Sequence, residues 1–503
     1  MSEPITWRMA KTHYRIKGSK CTDCGRVYFP PKSFCDREGR RSRMEEVYFG
    51  DRIGRIYSGG VSRETTAKFD YLNSIFSVYV SFDEGSERVL IAGRLTDFSS
   101  LEDEIDVTQY VGEEVVPRFR RVYDDGLIYY SRLQFSLLGD YYESHSELEA
   151  EPSPKPRRKS EGVGIVGYGA YIPKYRIKVE EVAKAYGKDP ELYKGTVLEK
   201  STPFLDEDTR TFAIEASERA LFHAGIDRQE VDLVAVGTES NPYVVYPIAV
   251  TVVDACGINQ NVNAYDVRFA CKAATSQIGL MCGAIESGLY NNALVVGSDN
   301  SQARRGDALD YSVGAGSAAL VLGGEGVIAT LEHAAHYASD TPDFYRREGE
   351  RYPSHGQRFT GEQAYFRHVV NAATELMRRA DLSPSDFDYF VTHQPNSKFP
   401  RSVAKALGFN RDQFELGNVV DYIGNIYAGS CIAGLCAILD EAKPGQRILS
   451  VAYGSGAGSD AFSWVVTEEI EEKRNRGITL KSQIFNSKRE YVGYEFYRKT
   501  KET

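Results

Sequence analysis

Between residues 46 and 133 the chain alternates apolar and polar positions in short runs. The runs 46–48, 55–58, 76–82, 89–95, 114–122 and 127–133 read as strands. Asp51, Gly54, Asp83-Glu84-Gly85 and Asp124-Asp125-Gly126 punctuate them. Short strands at this spacing predict a small all-β barrel of the OB type. The polar stretch GDYYESHSELEAEPSPKPRRKSEG holds prolines and no sustained period, and predicts a linker over 139–161. From GVGIVGYGAYIP onward, buried-strand runs alternate with apolar residues at helical spacing, the pattern of an α/β domain.

That second region repeats itself. AGIDRQEVDLVAVGTES opens at Ala224 and ADLSPSDFDYFVTHQPN at Ala380, 156 residues later. Each reads as a helix end, an acidic turn and a buried strand with a polar end. ACKAATSQIGLMCGAI and GNIYAGSCIAGLCAIL match with Cys282 over Cys436, an offset of 154 that sets Cys271 opposite Asn425. ALVVGSD from Ala293 and RILSVAYGSG from Arg447 keep the same offset. A unit this long indicates duplicated α/β halves rather than a solenoid. The expected division is a zinc-ribbon-like segment over 1–44, a barrel over 45–138, the linker, halves over 162–330 and 331–466, and a charged tail over 467–503. The tail, with EEIEEKRNRG and KREYVGYEFYRKTKET, reads as a solvated terminal helix or a docking element for a neighbouring subunit.

Charge narrows the function. Lys plus Arg is 61 against 71 Asp plus Glu, a net charge of −10. This argues against general binding of nucleic acid or anionic membranes. The acidic residues Glu102, Asp103, Glu104 and Asp106 argue further against a nucleic-acid role for the barrel. No apolar run approaches the roughly 18 residues that span a bilayer. The start, MSEPITWRMAKTHYRIK, lacks the apolar stretch of a signal peptide, so a cytoplasmic protein is expected.

The eight cysteines form no secreted disulfide pattern. Cys21 and Cys24 have the spacing of a zinc knuckle, with Cys35 as third ligand. The fourth place, near position 38, holds Glu38, which leaves either a carboxylate ligand or a knuckle without its metal. Cys256, Cys282, Cys431 and Cys436 sit within apolar helical patterns and read as core.

Cys271 follows a strand-like stretch over 267–270 and precedes a helical pattern ending near Gly288. A helix N-terminus there favours thiolate, and a thiolate can attack a thioester. A buried small residue is the other reading. His393 ends the strand in FDYFVTHQPN and can donate a hydrogen bond to a carbonyl, or is a satisfied core residue. Asn425 offers an amide donor or a helix cap. Glu239 offers a proton-shuttling carboxylate or a solvated loop acid. Ser455 and Gly456, within Gly454–Gly458, follow a strand; glycines there let backbone approach an acyl or pantetheine chain. Lys398, Arg401 and Lys405 can meet CoA phosphates or form a basic face in solvent.

Two resemblances add to this reading. Residues 6 to 138, through WRMAKTHYRIKGSKCTDCGRVYFPPKSFC, FDEGSERVLIAGRLTD and YVGEEVVPRFRRV, resemble the zinc-ribbon and OB-fold acyl-CoA-associated family known as domain of unknown function 35. That resemblance implies a scaffold or CoA-contacting role. From GIVGYGAYIP to about Phe462 the chain resembles 3-hydroxy-3-methylglutaryl-CoA synthases of the archaeal type, in the thiolase superfamily. The motifs are FLDEDTRTFAIEA, TESNPYVVYP, FACKAAT, GDALDYSVGAGSAA, RYPSHGQRFTGEQAYFRH, HQPNSKFP and GNIYAGS. It departs at Ala274, where a glycine is usual, and in its fused first domain.

The second resemblance implies a duplicated thiolase-like fold without a catalytic cofactor. It implies that acetyl-CoA acetylates Cys271, Glu239 moves protons, His393 polarises the ketone of acetoacetyl-CoA, and Asn425 supports the oxyanion or enolate. It also implies a homodimer or higher homo-oligomer, with an acetoacetyl-CoA thiolase as a partner. A related condensing acyltransferase on another acyl-CoA, and a non-catalytic acyl-CoA-channelling scaffold, are the alternatives.

Overall fold

Alternation along the first region closes into a barrel. The computed structural model describes residues 9–502 apart from 11, 64–73, 98–105, 126, 141–158, 194, 357–359 and 487. Most of the expected linker, and Glu102, Asp103 and Glu104, lie outside the described residues. One unit comprises Met1–Ser144 with Phe204–Glu207, the other His145–Pro203 with Asp208–Thr503.

In the first unit, β1 (Lys17–Cys21), β2 (Val27–Tyr28) and β3 (Met44–Tyr48) form a small antiparallel sheet with β1 in the middle. The barrel follows: β4 (Gly54–Ser62), β5 (Ile75–Glu84), β6 (Glu87–Leu95), β7 (Glu114–Asp125) and β8 (Leu127–Leu137), closed in the order β4-β5-β6-β8-β7. In β5, Phe76, Val78, Val80 and Phe82 face the core while Tyr79 faces out. Each such apolar side chain contributes roughly 1.5–3 kcal/mol on burial. Gly93 is required where β6 crosses β8, since a Cβ there would lie 2.4 Å from the Leu133 carbonyl oxygen.

The second unit is built on one nine-stranded sheet. Its strands are β9 (Lys159–Tyr171), β12 (Val231–Gly237), β13 (Asn263–Val267), β14 (Asn292–Asn300), β15 (Ala315–Glu325), β16 (Ala329–Thr341), β19 (Tyr389–Thr392), β20 (Arg447–Gly454) and β21 (Gly456–Val466). The remaining strands are β10 (Tyr175–Lys178), β11 (Glu199–Thr202), β17 (Phe344–Tyr345), β18 (Ser354–His355) and β22 (Glu490–Tyr491). The order is β13-β12-β14-β15-β9-β16-β21-β20-β19, the predicted duplicated halves meeting at the β9–β16 pair. Parallel pairs lie at both ends and antiparallel pairs between.

The helices that matter for the site are α1 (Thr209–Ala224), α2 (Ile248–Cys256), α3 (Ile278–Glu286), α4 (Arg367–Ala380), α5 (Lys398–Leu407), α6 (Ser430–Leu439) and α7 (Tyr494–Glu502). Asp208 caps α1 by accepting from the Arg210 and Thr211 N–H groups, and Gly225 ends it at φ 62°. Every residue of α6 is buried, as an all-apolar helix requires, and it shares a core with Ile278, Met281, Cys282 and Ile285 of α3. Cys256, Cys282, Cys431 and Cys436 are buried on helices, as their patterns predicted.

The structure corrects two expectations here. The strand before Cys271 ends at Val267, and Ala270–Lys272 forms a 3-10 turn with Ala270 at φ 43°. The tail is not solvated: Ile470, Leu480, Ile484 and Tyr497 are buried against the second unit. Among the described residues no helix is long and apolar enough to cross a membrane.

Candidate active site

Duplication brings two turns face to face. Ala270–Lys272 leads into α3, and Tyr427–Gly429 leads into α6; both are 3-10 turns, and both open on a positive φ, 43° at Ala270 and 42° at Tyr427. They are 157 residues apart (427 − 270). The glycines on which they sit keep the same spacing (454 − 297 = 157). A Cβ at Gly297 would lie 2.3 Å from the Ala428 carbonyl oxygen, and one at Gly454 would lie 2.5 Å from that of Phe269. This register sets Cys271 opposite Ala428 and puts Asn425 just ahead of the second turn. The pairing of Cys271 with Asn425 came from aligning the apolar helices, which start at different distances from their turns.

The Cys271 thiol is buried and donates to Glu239 Oε1 at 2.9 Å. Burial pushes the thiol well above its ordinary range, and the Glu239 charge adds to this. The expected thiolate at a helix N-terminus is therefore overridden by desolvation. Glu239 is pushed up to about 8, first by burial and then by repulsion from Asp299. Asp299 is pushed up to about 6 by burial. It accepts from Thr238 Oγ1, the Glu239 N–H and Ser240 Oγ on Oδ1, and from the Ala428 N–H on Oδ2. One carboxylate thus ties Glu239 to the second turn.

His393 follows β19 as expected and is buried, which pushes its imidazole down to about 3. It is neutral at physiological pH, and its Nδ1 has no hydrogen-bond partner among the described residues. Asn425 Oδ1 accepts the Tyr427 N–H at 3.0 Å, the cap-like role, and this leaves the amide nitrogen as its donor. Cys271, His393, Asn425 and Ser455 line one cavity, with Tyr365, Tyr427, Tyr453 and Asp343. Phe344 and His355, from the β17–β18 hairpin, close one side. Tyr365 Oη donates to the His393 carbonyl at 2.6 Å, and Tyr453 Oη to Asp343 Oδ2 at 2.6 Å.

Sequence reasoning missed Asp299, Asp343, the three tyrosines and Lys272. Lys272 Nζ bonds both Asp460 oxygens, at 2.9 and 2.8 Å, and anchors the Cys271 turn to β21. The polar strand ends TES and SDN, side by side in the sheet, were the signal for Asp299.

Gly454 and Gly458 make room for the chain's own Phe269 and Lys272 rather than for a ligand, while Gly456 faces open space. Arg401 is committed to Asp421 at 2.7 Å and Glu415 at 3.2 Å. Lys398 and Lys405 are exposed on α5, outside the cavity lining.

In the first unit, the sulfur atoms of Cys21, Cys24 and Cys35 lie within 4.8 Å of one another, and Cys24 and Cys35 are 3.6 Å apart. Tetrahedral zinc at about 2.3 Å from each sulfur needs nearly that separation. The donor set fits a structural zinc ion. Glu38 is exposed and stands outside the cluster; its backbone N–H, not its carboxylate, meets the Cys35 sulfur. Burial raises the Cys35 thiol, but bonds from Tyr28, Glu38, Arg37 and Cys24 outweigh this and bring it to about 7.

Comparisons agree with both units. The family described as ChsH2, rubredoxin-like zinc ribbon domain matches residues 9–38. The family described as 3-oxoacyl-[acyl-carrier-protein (ACP)] synthase III C terminal matches residues 377–465. The hydroxymethylglutaryl-CoA synthase of Methanopyrus kandleri is 50% identical over 344 residues, covering 68% of this chain and 98% of its own. That of Methanocaldococcus jannaschii is 50% identical over 338 residues, covering 67% and 97%. A solved structure, MvaS in complex with 3-hydroxy-3-methylglutaryl coenzyme A, superposes with a TM-score of 0.61 at 23% identity. It covers 69% of this chain and 93% of that one, and the likeness shows the shared thiolase-like fold.

Proposed function

The chain belongs to the hydroxymethylglutaryl-CoA synthase family, and from that premise we propose how its cavity carries the reaction. The enzyme condenses acetyl-CoA with acetoacetyl-CoA to give 3-hydroxy-3-methylglutaryl-CoA, a step of mevalonate formation. Cys271 attacks the thioester carbonyl of acetyl-CoA while its proton passes to Glu239. The proton then leaves with the CoA thiol, so Glu239 returns to carboxylate. Glu239 next takes a proton from the methyl group of acetyl-Cys271. The Asn425 amide nitrogen donates to the thioester oxygen as the enolate forms. The enolate carbon attacks the ketone of acetoacetyl-CoA, whose oxygen accepts from neutral His393, and Glu239 returns its proton to the new alkoxide. Water cleaves the thioester and frees Cys271.

What supports this reading is that Cys271 lines one cavity with His393 and Asn425 and, at 2.9 Å, donates to Glu239, which stands outside that lining. A base near pKa 8 is matched to proton transfer at neutral pH. Labelled acetyl-CoA, quenched with acid, is expected to add one acetyl mass to the Cys271 peptide. Label on another residue would overturn the assignment. Lys398 and Lys405 remain the cations offered to CoA phosphates.

The same reading extends to assembly. Val244, Val245, Leu280 and Leu289 are exposed apolar side chains on the second unit, and β13 leaves one sheet edge open, which suits a homodimer or higher homo-oligomer. The first unit serves as a CoA-contacting or thiolase-docking module, with zinc held by Cys21, Cys24 and Cys35 fixing its shape. Cytoplasmic residence follows from reduced cysteines and CoA substrates. Light scattering of the purified chain, alone and with an acetoacetyl-CoA thiolase, tests the assembly.

A further inference from the structure

Near its described end the last helix carries a lysine inside the second unit. Lys501, on α7, is buried, and its ammonium donates to three acceptors: Asn300 Oδ1 at 2.7 Å, the Gly314 carbonyl at 2.9 Å and the Ser301 carbonyl at 3.0 Å. Burial, with Lys200 and Arg498 nearby, pushes this amine well below its ordinary range, and the three acceptors are what hold the protonated form, one for each N–H. Its acceptors lie at the end of β14 and at the entry to β15. The same two segments hold Asn425. Ser301 Oγ and the Gly314 N–H both donate to the Asn425 carbonyl, at 2.8 and 2.9 Å, and the Asn425 N–H donates to the Ser312 carbonyl at 2.7 Å.

Neighbouring residues of α7 grip the connecting loop. Arg498 donates to the Ala303 carbonyl at 3.2 Å, and Tyr497 and Tyr494 donate to Asp310 at 3.1 and 2.6 Å. Ala303 shares an apolar cluster with Cys271, Val313 and Tyr427. A charged tail residue therefore reaches the frame of the cavity without touching the cavity itself, since Lys501 is absent from its lining.

We propose that Lys501 is a positioning residue for the condensation step, its ammonium fixing the backbone that carries Asn425. The inference rests on the role given to Asn425 above. Without the ammonium, the Asn300 amide oxygen and the buried Ser301 carbonyl lose this donor and the Gly314 carbonyl keeps only the Ser301 N–H, so the Ser301 and Gly314 segments relax together with the Asn425 carbonyl they hold. A displacement of about 1 Å in a group that meets the reacting atoms is worth on the order of 10²-fold in rate.

The test is a double-mutant cycle on the full chain, with the half-reactions measured separately by rapid quench. Acetyl-CoA alone reads Cys271 acetylation; pre-acetylated enzyme with acetoacetyl-CoA reads condensation. Lys501→Met is expected to slow condensation roughly 10- to 100-fold and acetylation by less than about threefold. In an Asn425→Ala background the same change is expected to add less than about threefold, because the group it positions is gone. Lys501→Gln, which keeps two N–H donors, is expected to recover part of the loss and serves as the probe if the methionine variant does not fold. Additive losses, or equal losses in both half-reactions, would show a merely structural role and overturn the proposal. If Asn425→Ala alone condenses at the wild-type rate, the role of Asn425 is wrong. If Asn425→Ala is slow and Lys501→Met is not, only the Lys501 inference fails.

Discussion

The Cys271 turn and the Tyr427 turn share a backbone and differ in what surrounds them. Both are 3-10 turns seated on a strand glycine; the first leads into α3, buried along one side, and the second into the fully buried α6. The first places a thiol beside Glu239, near Asp299, and is anchored by the buried Lys272–Asp460 ion pair. The second is held by neutral bonds from Ser301, Ser312 and Gly314, which occupy the backbone of Asn425 and leave its amide nitrogen for a ligand. Asp299 joins Glu239 to the second turn, one oxygen on each. Duplication supplied two equivalent turns; the charges around them separate nucleophile from oxyanion donor.

The largest effect comes from removing what distinguishes the first turn. Cys271→Ala is expected to abolish acetyl labelling and turnover; retained turnover would mean that the thiol turn has no special role. Glu239→Gln keeps the size of the side chain and removes the base, so condensation is expected to fall by about 10²–10⁴. Because the Cys271 thiol donates to Glu239, acetylation is expected to slow as well. Condensation at the wild-type rate would remove Glu239 from the mechanism.

Asp299→Asn sharpens the comparison, since it alters the strut between the Glu239 segment and the second turn. Both half-reactions are expected to slow by roughly 10- to 100-fold. Loss of the Asp299 charge also removes a repulsion that raises Glu239, so the acetylation pH profile is expected to move to lower pH. An upward move would show that Asp299 acts only through its hydrogen bonds.

The smallest effect on chemistry is expected from the other unit. Cys21→Ser with Cys24→Ser is expected to release zinc, read by metal analysis, while Cys271 acetylation stays within about threefold of wild type. Loss of acetylation in a folded variant would end the division of labour between the units.

How far the sequence could be read follows the physics of each feature. Alternation has period two on a one-sided barrel strand, so β5 and β6 could be placed from Phe76 to Leu95. Cys271 could be singled out because it stands between a strand-like stretch and a helical pattern, and His393 because a polar residue closes a buried apolar run. Asp299 does the same, and Thr238 and Ser240 of the neighbouring strand end are two of its donors, but its link to the second turn runs through the Ala428 N–H, for which no residue pattern exists. Glu38 misled for a similar reason, its main chain serving where a side chain was expected. Lys501 was hidden in a charged tail, because burial of an ammonium depends on carbonyls supplied by distant strands. Part of the large tyrosine content also becomes legible only in space, where Tyr365, Tyr427 and Tyr453 wall the cavity.

The central claim is that Cys271 is a protonated thiol activated by Glu239, not a thiolate made by a helix terminus. The pre-steady-state rate of Cys271 acetylation as a function of pH tests it most directly. Glu239 must be ionised to accept the thiol proton, so the wild-type rate is expected to rise with pH through about 8 and then level. Glu239→Gln is expected to lack that step and to rise only at higher pH, where the thiol itself ionises. A fast, pH-independent acetylation from pH 6 upward in both proteins would contradict the account, because it would mean that the thiolate is already present without the base.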